Sequence, residues 1–307
     1  MALSKILPAS QEQFAGARNL IINGAMQVAQ RGTSFTTDNV YTIDRWKSGD
    51  GTGGSPARTL SQEEFALGQT SVPNARYYLK HDQTGASTNG NASLIHKIED
   101  VTRFDGQTVT LSFYAKADAS MNIDIRLIQD FGSGGSPSSN VELNEIVSIG
   151  TSWTKYTVTK TLGSLLGKTV GTDGEHTSSL NINIDFEPTS TFTFEATLFQ
   201  LEYGETATPF EHRSYGDELA RCQRYYEKSY KDSVYFLNGS SGTQIQRQTN
   251  RFMVQKRASP ALTETKTAGS SGSTVGNVGG DIDGIMHSFA GSNIDSCFFS
   301  WTADAEL

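Results

Sequence analysis

Few residues of this chain have types and spacings that could do chemistry, and most of those spacings exclude the chemistry they suggest. Residues 163–169, Gly-Ser-Leu-Leu-Gly-Lys-Thr, have the outline of a phosphate-binding loop, but the interval between Gly163 and Gly167 is one residue too short. Such a loop cannot wrap its N–H groups around a phosphate, and the Val-Gly-Thr-Asp-Gly that follows cannot start a helix to offer its N-terminus. Asp281-Ile-Asp283-Gly284 begins like a calcium loop. Ser292 then stands at the twelfth position in place of a bidentate Glu, and the glycine is misplaced, so a solvated turn is expected. There is no Gly-x-Ser-x-Gly elbow and no Cys/His signature. His81, His96, His176, His212 and His287 are scattered with no i,i+4 pair, so no metal site is expected. Cys222 and Cys297 sit in unlike contexts and read as free buried thiols, with a disulfide as the minor alternative. Glu63-Glu64 and Glu99-Asp100 are adjacent, point to opposite faces of a strand, and read as surface charge.

Aromatic chemistry remains. Sugar sites combine ring faces, on which C–H surfaces stack, with planar polar side chains. Trp46 follows Asp44-Arg45, Trp153 precedes a strand, and Tyr77-Tyr78 puts one ring on each face of a strand. Tyr225-Tyr226 splits in the same way on a helix. Trp46, Tyr77 and Tyr78 are the glycan-binding candidates, against a core reading of the tryptophans.

The elements that would position these rings are strands. Val109, Leu111, Phe113 and Ala115 alternate with Thr108, Thr110 and Ser112; Met121, Ile123, Ile125 and Leu127 alternate with Asn122, Asp124 and Arg126. Leu180, Ile182, Ile184 and Phe186 alternate with Asn181, Asn183 and Asp185. Phe192, Phe194 and Ala196 hold a phase that slips at Phe199 and Leu201, as a β-bulge would make it slip. Residues 19–29 and 40–47 read as two further strands. One apolar face per strand implies two packed antiparallel sheets, so the fold class is all-β, a jelly-roll β-sandwich over residues 18–213. Residues 214–230 read as the one helix, with Ser214 and Asp217 at capping spacing and an apolar stripe of Leu219, Cys222, Gln223 and Tyr226. The helix opens a small β-rich C-terminal module, 214–307, with strands near 233–237, 244–256 and 296–302 and a mobile Gly/Ser-rich loop at 268–280.

Composition narrows the partners. The chain has 307 residues and a formal net charge of −8, which disfavours a general nucleic-acid binder. No apolar run is long enough to insert in a membrane, and residues 1–16 lack the pattern of a secretory signal. No cofactor is called for, although a jelly roll can hold a structural calcium on backbone oxygens without displaying it in sequence. Residues 1–17 are polar apart from Leu3, Ile6, Leu7 and Phe14 and a few small residues, and read as an arm that docks on another protein, against a frayed terminus.

Longer motifs point to a family. They are Asn19-Leu-Ile-Ile-Asn-Gly-Ala-Met-Gln-Val-Ala-Gln-Arg-Gly-Thr-Ser34, Tyr41-Thr-Ile-Asp-Arg-Trp-Lys47 and Thr110-Leu-Ser-Phe-Tyr-Ala-Lys-Ala117. Phe199-Gln-Leu-Glu-Tyr-Gly-Glu-Thr-Ala-Thr-Pro-Phe-Glu-His-Arg213, Leu219-Ala-Arg-Cys-Gln-Arg-Tyr-Tyr-Glu227 and Ala303-Asp-Ala-Glu-Leu307 follow in order. From about residue 18 onward the chain resembles a tailed-bacteriophage virion protein of the tail-fibre or receptor-binding type. The resemblance implies a carbohydrate-binding-module-like jelly roll in a homotrimer on the virion, made in the bacterial host cytoplasm. It supplies no residue-level sugar site. With only a short lead before the sandwich, the chain is expected to be a fibre tip or an adaptor.

The function expected is therefore non-enzymatic recognition of a host-surface polysaccharide. A purely structural role, as a tail adaptor or head decoration protein docked on other tail or head proteins, is the alternative. A capsular polysaccharide depolymerase ranks behind both, because the chain lacks the short repeats of a β-helix.

Overall fold

The structure, a computed structural model, describes residues 18–49, 56–86, 92–173, 177–229, 233–235, 244–269, 274–291 and 297–307. The docking-arm residues Leu3, Ile6, Leu7 and Phe14 lie outside the described residues.

Strands form where apolar and polar residues alternate. In β6 (Thr108–Ala117) the side chains of Val109, Leu111, Phe113 and Ala115 are fully buried on one face. Ile123, Ile125 and Leu127 of β7 (Met121–Asp130) and Leu180, Ile182 and Ile184 of β10 (Ser179–Phe186) do the same from the opposite side. The other sandwich strands are β1 (Ser34–Phe35), β2 (Trp46–Ser48), β3 (Arg58–Glu64), β4 (Tyr77–Gln83), β5 (Ala92–Glu99), β8 (Val141–Ile149), β9 (Thr154–Thr161) and β11 (Phe192–Tyr203). They pair antiparallel into a six-stranded sheet, β1-β3-β4-β11-β6-β9, and a five-stranded sheet, β2-β5-β10-β7-β8. The chain changes sheet at most connections, so β10 slots between β5 and β7 while β11 slots between β4 and β6. This winding is the jelly roll, and its two inner faces share one apolar core.

The bulge in β11 falls between Thr197 and Gln200, with Leu198 at φ 53°. It sends Phe199 into the core, 4.7 Å from the Trp46 ring, and Leu198 to the outer face. Residues 19–29 are not a strand. Asn23 and Met26 take positive φ, and the Asn23 side chain closes the turn onto Val28 N and O. The segment instead plugs the bulge: Phe199 N donates to Gly24 O, and the Asn19 amide donates to Phe199 O.

The helix is shorter than its pattern. Helix α1 spans Tyr215–Gln223, with the Ser214 hydroxyl accepting from Asp217 N as the capping spacing predicts. It stops because the chain turns into β12 (Tyr226–Lys228). Tyr225 and Tyr226 are consequently both buried, not divided between core and solvent. Cys222 on α1 is a free buried thiol; the Cys297 side chain lies outside what is described.

Beyond α1, β12, β13 (Ser233–Tyr235) and β15 (Ala261–Gly269) surround β18 (Cys297–Asp304), and β14 (Gln244–Arg251), β17 (Gly284–Gly291) and β16 (Thr274–Gly280) form a three-stranded sheet. Phe252 and Ile285 meet Phe299, Trp301 and Ala303 in a small shared core. The expected mobile loop at 268–280 is largely strand, because ladder hydrogen bonds use backbone groups that glycine supplies as well as any residue. Asp281 forms the expected turn, its carboxylate accepting from Asp283 N and Gly284 N.

Candidate functional site

The outer face of the six-stranded sheet carries the site. Tyr78 of β4 and Tyr114 and Lys116 of β6 point out of the sandwich because their neighbours Tyr77, Leu79, Phe113 and Ala115 point in. Two rings arrive from outside the strands: Phe65, just past the end of β3, and Trp153, just before β9. Phe65 lies 4.7 Å from Tyr78 and 5.2 Å from Trp153, and Tyr78 lies 5.6 Å from Trp153 between ring centroids. Tyr78 meets Trp153 edge-on and Phe65 is tilted against both, so the three half-buried rings support one another as one apolar platform.

Polar groups frame the platform. The Lys116 ammonium is 5.6 Å from the Trp153 ring centre and 2.8 Å from Glu195 Oε2. Burial pushes the Tyr78 phenol pKa up, with Glu195 and Glu63 adding to the shift, so its hydroxyl stays a donor at neutral pH. Rings flanked by a phenol, an ammonium and a carboxylate suit a ligand with C–H faces and hydroxyl edges.

The apolar surface continues toward β9. Leu198, Tyr114 and Phe210 belong to the same outer cluster as Phe65 and Trp153. Residues 205–211 fold over the sheet because Glu202 and Gln200, both buried on its outer face, hold them down. Glu202 Oε1 accepts from Thr208 N (2.8 Å), and Gln200 Oε1 accepts from Glu211 N (2.8 Å). The fold-over encloses a pocket of about 160 Å³ beside the platform.

The three sequence candidates are not together. Tyr78 is part of the platform. Tyr77 turns inward and packs against the sandwich core. Trp46 is a correction: it is 0 % exposed, its indole N–H donates to Asn23 O, and it packs on His96 and Phe199, so it cannot meet a ligand from solvent. Phe65 and Phe210 carry no sequence signal, because loop rings have no periodicity that tells which side they cover, and Trp153, expected in the core, is half-buried on the outer face.

The opposite, five-stranded sheet presents a polar outer face. Arg126 forks onto Glu142 and donates to Asp185, with Asn181 and Asn183 alongside, and these strand positions carry no ring for stacking. Among the described residues no group of three His, Cys, Asp or Glu is placed to hold a metal. No described helix is long and apolar enough to cross a membrane.

No family model and no curated protein matches the chain. Among solved structures it is similar to a putative sugar binding protein from Bacteroides thetaiotaomicron VPI-5482, at 16 % identity and TM-score 0.39, covering 61 % of this chain and 100 % of that one. The enzymatically active domain of tailspike protein 4 of Bacteriophage CBA120 matches at 13 % identity and TM-score 0.38, over 61 % of this chain and 22 % of that one. A family 11 carbohydrate-binding module from Clostridium thermocellum, in complex with a β-1,3-1,4-mixed-linked tetrasaccharide, matches at 13 % identity and TM-score 0.34, over 59 % and 98 %. Likeness at this level carries no residue role, ligand or activity across.

Proposed function

We propose that this chain is a non-enzymatic glycan-binding protein whose binding surface is the aromatic face of the six-stranded sheet. The observation that carries the reading is the Phe65–Tyr78–Trp153 platform with Lys116 and Glu195 at its border. A shallow face of this kind binds weakly per site, so the proposal includes display in several copies, where effective concentration raises avidity. The motif resemblance supports placing those copies on a bacteriophage virion, as a homotrimeric tail fibre or receptor-binding protein. In that setting residues 1–17 dock on other tail or head proteins, and the ligand is a host-surface polysaccharide.

The test is binding of the purified full chain to host cells and to their extracted surface polysaccharide, with resistant cells as control. Saturable binding to sensitive cells alone is expected. Absence of binding by a folded protein would favour a structural role in the particle, and falling polymer size on incubation would favour a depolymerase.

A further inference from the structure

The pocket beside the platform has a chemistry of its own, and its reading rests on the glycan-binding reading above. Part of its lining is apolar: Tyr114, Leu198 and Phe210. Another part is polar: Asn74, Ser112, Lys155 and His212. Ser112 is 3 % exposed, and its hydroxyl, with no hydrogen-bond partner among the described residues, opens to the pocket. A hydroxyl in that position can donate to or accept from a group that enters the pocket. Lys155 Nζ donates to Thr208 O at 3.1 Å and keeps further donors. The His212 ring packs edge-on against Phe210 at 4.9 Å; burial lowers its pKa, so the neutral ring offers one donor and one acceptor.

The occupant must therefore be small and amphipathic. A hydroxymethyl group would leave the apolar wall bare. An alkyl group would leave Ser112 unpaired. A carboxylate would pair with Lys155 but leave the apolar side chains uncovered. An acetamido group meets both walls, its methyl on the rings and Leu198, its amide on the hydroxyl and imidazole. We infer that this pocket seats the acetamido group of an N-acetylated hexosamine unit in the glycan whose neighbouring sugar stacks on the platform.

Saturation-transfer NMR on the full chain tests this with N-acetylglucosamine, N-acetylgalactosamine and N-acetylmannosamine, each paired with its parent hexose. The acetyl methyl should be the most strongly saturated proton, and the parent hexoses should respond weakly. Ser112→Ala should lower apparent affinity roughly five-fold, as loss of one hydrogen bond would. His212→Ala, at a half-buried position, should do so without changing the melting temperature. No acetyl saturation from any of the three sugars, or equal response from the hexoses, would overturn the inference. If host polysaccharide still bound in a Trp153-dependent way, the platform reading would survive that result; loss of both would count against both.

Discussion

The guanidinium of Arg45 donates to the carboxylate of Glu306, and both side chains are buried where the sandwich meets the C-terminal strands. Arg45 also lies over the Tyr225 ring, 3.4 Å from its centre. Arg31 approaches the same carboxylate at 3.3 Å and covers Tyr226 at 3.6 Å. Burial raises the Glu306 pKa while Arg45 and Arg31 pull it down, so the carboxylate depends on them to stay charged. The Tyr41–Lys47 and Ala303–Leu307 motifs, far apart in sequence, thus meet as one clamp; Tyr41 Oη completes it by donating to Leu307 O at 2.9 Å. Glu99 adds a second tie by accepting from Arg224, so it is more than the surface charge its position suggested.

Removing one partner of the clamp should therefore cost far more than removing both. Glu306→Ala leaves a buried, unpaired guanidinium and should destabilise the protein by about 3–5 kcal/mol. Arg45→Met with Glu306→Leu should recover much of that loss. Urea unfolding of the single and double variants checks this, and equal loss in both would contradict it.

Two core imidazoles should make the protein acid-sensitive. Burial lowers the pKa values of His81 and His96 from the usual 6.5 to about 3. The unfolded chain takes up these protons first, so this contribution is complete above pH 6.5 and is lost as pH falls from there toward 3. Between pH 7 and 5 the loss should be on the order of 2 kcal/mol per imidazole. His81 packs between Phe186 and Phe192 with neither ring nitrogen bonded, so His81→Leu should flatten the profile. Urea midpoints at several pH values measure it, and an unchanged slope in His81→Leu would contradict the assignment.

A third expectation concerns the plug on the bulge. A Cβ at Gly24 would lie 2.0 Å from Phe199 O, a backbone atom that cannot move without opening β11. Gly24→Ala should therefore cost more than the ~1 kcal/mol typical of a single substitution, read as a lowered thermal midpoint. A variant as stable as the parent would show that the segment is not seated there.

Much of this architecture is legible in the sequence because alternation is a physical signal: Val109 to Ala115 and Leu180 to Phe186 can bury one face only as strands. The bulge is legible as the slip before Phe199. The helix end is not, since Tyr226 keeps helical spacing while its backbone pairs with Asp304. The site is legible only at Tyr78. Phe65 and Trp153 sit at strand ends, and the Ser112 pocket exists because residues 205–211 fold back over a face that alternation assigns to solvent.

The central claim is tested most directly by calorimetric titration of host-surface polysaccharide into the parent chain, Trp153→Ala and Trp46→Phe. Loss of a central ring from a binding face typically costs about 2 kcal/mol, so Trp153→Ala should weaken binding roughly thirty-fold at unchanged melting temperature. Trp46→Phe should lower stability and leave affinity intact. Parent-like affinity in Trp153→Ala would contradict the assignment of the ligand to the aromatic face.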